Sequence, residues 1–406
     1  MNKRYRGTVA ALFATYLING VVGVLISQIA VKLAVQVNVA YEMVIGITSI
    51  AGLIRIVIFP FVGMLSDKFG RKIFQITGLL FYVPMFLLII FSSNLWMLQA
   101  AIVCQALSNV CTDIATYSTL VEVSQGKNAN SLSMMVKAFV STGQIIFPLI
   151  VSFVYARNID WKVLMYGLLV MLVLVLIGTF VSPFPTKGKN ADDAKNEKGE
   201  AEPAAEIVSA TGEKPSIVKD AVPLIILGFL ILASFSVLTS WLPKLAMGLA
   251  GMSESVAPLF SSVYGFAALI GVLFNSYLVK RWVRPSLMFP LTMALASVGL
   301  LVALVAPSYV TFIIMSVMIG AFASGGMYQL QNSVVLSLFP KHKGLLTGVN
   351  SLVSSGALLF VPLLTAALAA QNLAFVVAFD LVITVLGVLL GLYVDFRVKR
   401  FNADNK

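Results

Sequence analysis

Apolar residues along this chain come as long runs broken by short polar punctuation, without strand-like alternation. Twelve such runs can be counted, at about 8–33, 40–65, 73–93, 95–120, 131–155, 162–182, 220–246, 256–279, 286–305, 309–338, 345–370 and 374–395. A helix needs roughly 20 apolar residues to cross the hydrocarbon of a bilayer. Spanning barrel strands are shorter and alternate in polarity, and that pattern is absent. The expected fold class is therefore an all-α membrane protein with twelve transmembrane helices. One interval differs in kind. Residues 186–219 are rich in Lys, Glu, Ala and Gly, with no aromatic, which predicts a flexible linker. It divides the chain into a six-span segment 1–185 and a second at 220–406.

Composition sharpens this picture. The chain is 59% hydrophobic and 11% charged, against about 45–50% and 25% in soluble domains. A formal net charge of +11 would suggest nucleic acid in a soluble protein, but here the bases have a topological meaning. Only Lys32, Arg157, Lys162 and Lys244 of the 28 lysines and arginines fall in the even-numbered loops, and Arg55 and Lys137 lie within spans. The rest crowd the side that carries both termini. By the positive-inside rule that side is the cytoplasm, and the first span reads as a retained signal anchor. Cys104 and Cys111, seven apart on one span, read as small packing residues with no metal site. No span carries a nucleophile–base set or a phosphate loop. An enzyme, a cofactor and a nucleic-acid partner are not expected, and neither is a signalling receptor.

The two segments resemble each other. VKLA at 31–34 is answered by PKLA at 243–246, and VSTGQIIFPLI at 140–150 by VSSGALLFVPLL at 353–364. The near-constant offset, 212 at Lys32/Lys244 and 213 at Gly143/Gly356, suggests a duplicated six-helix unit, a transporter signature. After the second span comes GMLSDKFGRK, residues 63–72. Gly63 would allow close helix approach, Gly70 an unusual backbone angle, and Arg71 and Lys72 mark the cytoplasmic face. This decapeptide resembles the loop signature of the major facilitator superfamily. The equivalent stretch of the second half, NSYLVKRWVR at 275–284, keeps the bases but has Val279 in place of Asp67. The resemblance implies two pseudo-symmetric six-helix bundles rocking about a central cavity. It also implies a gating role for Gly63, Asp67, Gly70, Arg71 and Lys72.

Arg55 sits inside the apolar run GLIRIVIFP, 52–60. Arg55, Asp113 and Lys137 are each about 12 or 13 residues from their nearest loop centres, which at 1.5 Å per residue is roughly 18–20 Å. Three ionisable groups from spans two, four and five thus share one depth near mid-membrane. A charge there costs on the order of 2.5–3.5 kcal/mol on insertion scales, so these groups must face one another or water. Two arrangements meet that requirement. In the first, Asp113 pairs with Lys137 and Arg55 bonds backbone carbonyls, fixing helix packing only. In the second, Asp113 neutralises a cation in the empty protein and is displaced by an anionic substrate, or protonated, so that proton and anion movement are coupled.

The second half offers neutral polar groups at corresponding places. Gln329, Gln331 and Asn332 crowd the tenth span, and Asn350 precedes Gly356 by six, as Lys137 precedes Gly143. Trp241, Tyr264 and Tyr328 could stack on or hydrogen-bond a substrate. Asp380, on the twelfth span, reads as the partner of a structural pair. His342, the only histidine, falls in a loop. TSWLPKL at 239–245 is similar to the seventh-span ending of anion/cation symporters and cyanate-type porters. The first span, YLINGVVG at 16–23, lacks the Asp of aromatic-acid symporters. The expected function is a secondary transporter of a small, carboxylate-like organic anion, moved with protons by alternating access. Arg55, Lys137, Trp241, Tyr264, Tyr328, Asn332 and Asn350 would contact substrate, and Asp113 would carry the proton. The alternative is a proton-driven exporter of drugs or metabolites. The expected partners are a small-molecule substrate, protons and the lipid bilayer, for a monomer in the cell membrane.

Overall fold

A computed structural model describes residues 3–124, 129–185, 215–339 and 342–401. Among these, twelve helices are long and apolar enough to cross a membrane, and no residue is in a strand. They are α1 (Arg6–Val37), α2 (Tyr41–Ser66), α3 (Arg71–Ile90), α4 (Leu95–Ser124), α5 (Ala129–Ala156), α6 (Lys162–Val181), α7 (Val222–Ala250), α8 (Ala257–Arg281), α9 (Pro285–Val305), α10 (Tyr309–Leu338), α11 (Lys343–Gln371) and α12 (Ala374–Phe401). Each run read from hydropathy corresponds to one helix. The linker interval 186–214 lies outside the described residues. The seventh span opens earlier than the sequence suggests, with a π-helical turn at Ile217–Ala221.

The chain forms two compact units, one of Met1–Glu197 with Ser253–Ser262, the other of Lys198–Met252 with Val263–Lys406. In lipid the hydrophobic effect cannot drive helices together, so association depends on small residues that let backbones approach. In the first unit α1 and α5 meet at Gly20 and Gly143. A Cβ at Gly20 would stand 2.1 Å from Val140 O, and one at Gly143 2.4 Å from Leu17 O. Gly78 of α3 packs on Ser108, Cys111 and Thr112 of α4 in the same way, which gives Cys111 the packing role expected of it. Both cysteines are free.

In the second unit Gly387 and Gly391 of α12 lie against Met293 and Pro290 of α9. The tenth span is broken, which the hydropathy run does not reveal. Its first helical segment, Tyr309–Met318, passes into a π-helical turn at Ile319–Ser324 and restarts at Met327 after Gly326, which has φ +80°. Such a break frees carbonyls, each costing several kcal/mol if left bare in hydrocarbon. Asn275 of α8 covers two of them, donating to Ala321 O at 2.9 Å and Gly325 O at 3.0 Å. Gly271 makes this possible, since a Cβ there would be 2.3 Å from Ala321 O. At the far end of α12, Arg397 is buried and grips Asp220 with two bonds, Nε to Oδ1 at 2.7 Å and Nη2 to Oδ2 at 3.1 Å.

Candidate functional site

The charged residues read from the first half converge within the first unit. Arg55 Nη2 lies 3.0 Å from Asp113 Oδ2, and the Tyr16 hydroxyl of α1 donates to Asp113 Oδ1 at 2.6 Å. Both carboxylate oxygens are therefore engaged. The guanidinium also sits 5.9 Å from the centroid of Phe59, one turn along α2. The pair is not sealed: the side chains of Arg55 and Asp113 keep 25% and 19% of their surface exposed. Lys137 of α5 is exposed and makes no hydrogen bond or ion pair among the described residues, yet it lies near enough to Asp113 and Arg55 for their charges to act on it. Asp113 thus pairs with Arg55, where the first of the two arrangements expected Lys137.

Around this cluster are groups that sequence reasoning passed over. Tyr16 packs edge-on against Tyr117, with ring centroids 5.9 Å apart. Three residues along α1, Asn19 faces Tyr82 and Asn109; the Tyr82 hydroxyl lies against Asn19 Oδ1 and 2.7 Å from Asn109 Oδ1. Gln75 joins Thr15 and Thr116. The i, i+3 spacing of Tyr16 and Asn19, beside the close-packed Gly20, was a usable signal that one face of α1 is polar.

In the second unit Asn350 organises a neutral network. Its amide donates to the Tyr328 hydroxyl and to Asn332 Oδ1, both at 3.2 Å, and its carbonyl accepts from Gln331 Nε2 at 3.3 Å. Tyr328 also bonds Ser354 at 2.5 Å. Gln331 reaches Leu224 O at 2.9 Å and fills the space beside Gly228. Asn332 and Tyr328 keep some exposure, whereas Gln331 and Asn350 are buried. Trp241 and Tyr264 stand apart from this network. Trp241 is fully buried with its Nε1–H given to Thr365 at 2.9 Å. Tyr264 is buried with its hydroxyl on Ser324. The structural partner expected for Asp380 is not found among the described residues, where neither carboxylate oxygen makes a hydrogen bond of full geometry.

The decapeptide 63–72 is built as follows. Gly70 follows the helical segment Ile50–Phe69 with φ +99°, the region glycine favours. Arg71 Nε pairs with Glu122 of α4 at 3.2 Å, and its guanidinium donates to Ser66 Oγ at 3.1 Å. Lys72 caps the end of α6, donating to Phe180 O at 2.7 Å and Ser182 O at 3.0 Å. The close approach expected at Gly63 is not there, since an added Cβ would have nothing within 4 Å. The Asp67 side chain lies outside the described residues.

The family model of the Major Facilitator Superfamily matches residues 8–290 and 251–405. The chain belongs to the major facilitator superfamily. It is a multi-pass membrane transporter with that family's fold, and not an enzyme. It is 28% identical to the inner membrane transport protein YdiN of Escherichia coli (strain K12), over 97% of this chain and 90% of the relative. It is 26% identical to the uncharacterized MFS-type transporter YfkL of Bacillus subtilis (strain 168), over 97% of each. Among solved structures, a bacterial homologue of the human lysosomal transporter Spinster superposes with a TM-score of 0.73 at 15% identity, covering 98% of this chain and 99% of that one. The D-xylose-proton symporter gives 0.72 at 13% identity, covering 97% of each. At such identities the two structures speak for the fold alone.

Proposed function

We propose that this protein is a proton-coupled secondary transporter of a small organic anion, working by alternating access. The observation that carries the reading is the composition of the first-unit cluster: one carboxylate held by Arg55 and Tyr16, with a second base, Lys137, left without a bond. Breaking a partly exposed ion pair of this kind without replacing a partner costs about 2–3 kcal/mol, less than the roughly 3–5 kcal/mol of a sealed one. The empty protein therefore keeps Asp113 on Arg55. A substrate carboxylate can take over the guanidinium, which is suited to planar bidentate recognition, with Lys137 adding a second positive point charge. Asp113, once displaced, is stabilised by taking up a proton, and Tyr16 keeps its position through the exchange. Proton uptake and anion binding then favour each other, as the reciprocity of linked binding requires.

Tyr328 and Asn332, which keep some exposure, are the hydrogen-bonding groups that the second unit could offer a ligand, and Asn350, buried with its amide engaged, positions them. Trp241 and Tyr264, with their polar atoms engaged in the interior, serve packing. Arg71 and Lys72 act from the loop side, holding the ends of α4 and α6 so that the gating segment moves as one piece. The distribution of bases supports cytoplasmic termini, and the inner membrane relatives support a cell-membrane location.

The test is uptake of radiolabelled mono- and dicarboxylates into proteoliposomes with an imposed pH gradient. The reading expects at least one carboxylate to accumulate when the gradient is present and to stop doing so when it is collapsed. Uptake indifferent to the gradient removes proton coupling. Efflux of cationic dyes with no carboxylate transport would favour the exporter.

A further inference from the structure

Asp380 lies on α12, in the second unit, with none of its surface exposed. Among the described residues neither carboxylate oxygen nor the buried hydroxyl of Ser234 makes a hydrogen bond of full geometry, and Ser234 of α7 is the one side-chain donor close enough to act on the carboxylate. Helices α7, α9 and α11 pack against α12. The sequence of α9 contains no titratable residue, that of α7 only Lys244, ten positions beyond Ser234, and that of α11 only Lys343 at its first position. The π-helical turn that also touches α12 carries Lys219 and Asp220, and Asp220 is engaged by Arg397, seventeen residues from Asp380. The titratable group nearest in influence is Tyr264 of α8, whose hydroxyl is on Ser324. One turn along α12, Thr384 is taken by Ser297 at 2.9 Å.

An ionised carboxylate cannot remain in such a place without a counter-charge or donors. A bound metal cation is a poor answer, because hard cations gather six or more oxygens and among the described residues no group of three or more acidic, His or Cys side chains is placed to hold one. A proton satisfies the site alone. It makes the side chain neutral and gives it a donor for the Ser234 oxygen. We propose that Asp380 is a proton-binding site of the second unit, holding its proton while α7 and α12 are closed over it and releasing it when water reaches the α7–α12 seam. This deepens the proposed proton coupling by placing a second carrier on the opposite half of the sequence from Asp113, and its use in transport rests on that reading. Its existence does not.

Infrared difference spectroscopy on the purified full chain in lipid tests it. The wild type should show, at neutral pH, the carbonyl stretch of a protonated carboxylic acid that shifts on exchange into heavy water. The band should vanish in Asp380→Asn, survive in Asp113→Asn and move in Asp380→Glu, which retains an acid should the amide variant fold poorly. A band unchanged in both Asp380 variants, or no such band in the wild type, overturns the assignment. In the pH-gradient uptake assay, Asp380→Asn should weaken accumulation. Loss of the infrared band assignment with uptake intact would sink this site alone, whereas gradient-independent uptake with the band present would sink the coupling reading alone.

Discussion

The cost of carrying Arg55 in an apolar helix should be visible in a double-mutant cycle with Asp113. Two unit charges 4 Å apart attract by about 4 kcal/mol at an effective dielectric of 20, and this pair is closer, at 3.0 Å. Both side chains keep a fifth to a quarter of their surface, so screening takes back part of that sum. Arg55→Gln strands a carboxylate beside Tyr16, and Asp113→Asn strands a guanidinium beside Phe59. Each single change should cost about 2–3 kcal/mol, below the 3–5 kcal/mol of a fully sealed pair. The double variant, with two neutral amides that can still bond, should recover about 1–3 kcal/mol relative to the sum of the singles. For a unit of this size, that is a rise in Tm of roughly 2–4 °C per kcal/mol. Thermal unfolding in a mild detergent, monitored by a thiol dye at Cys104 and Cys111 or by circular dichroism, reads all four corners. Strictly additive losses would mean that the two charges do not stabilise each other and that Arg55 is tolerated for some other reason.

The same assay should separate the two glycines of the repeat. Gly143→Ala pushes a methyl against the α1 backbone and should cost about 1–3 kcal/mol by overpacking. Gly356→Ala meets nothing within 4 Å and should be neutral or gain about 0.5–1 kcal/mol of helix stability; equal effects would contradict the packing described. Asn350→Leu removes the centre of the second-unit network and leaves Gln331 and Tyr328 short of partners, at a cost of about 1–3 kcal/mol. Unchanged stability would show that water already serves those groups.

How much of this was written in the sequence depends on which physical constraint governs each element. The twelve helices were legible because hydrocarbon thickness sets a length that hydropathy alone reports. The break in α10 was not, because a π-helical turn changes no residue's polarity; only the pair Gly325–Gly326 hinted at it. For the three charges of the first half, positions could be counted from the loops, and the structure brings Arg55 onto Asp113 with Lys137 within reach of their charges. Rotation about each helix axis could not be counted, so the choice between Lys137 and Arg55 as the partner of Asp113 stayed open until the structure placed Arg55 there. Tyr16 was overlooked because a tyrosine in an apolar helix resembles a packing residue, and its role appears only with the carboxylate beside it. Asp380 shows the opposite error. Energetics predicts a charged partner for a buried acid, while protonation answers the same cost with a neutral hydroxyl, Ser234, beside it. Asn275 stands at the position matching Gly63 in the first half, and the halves differ there because α10 has a break whose carbonyls need covering, whereas its counterpart α4 is one continuous helix.

The central claim is that Arg55 meets the anion, and the most direct measurement is uptake by Arg55 variants reconstituted in proteoliposomes. With the carboxylate that the wild type accumulates, Arg55→Ala should abolish accumulation and Arg55→Lys should retain only a weak residue of it, because an ammonium cannot reproduce the bidentate fork. Accumulation by Arg55→Ala equal to that of the wild type would contradict the account.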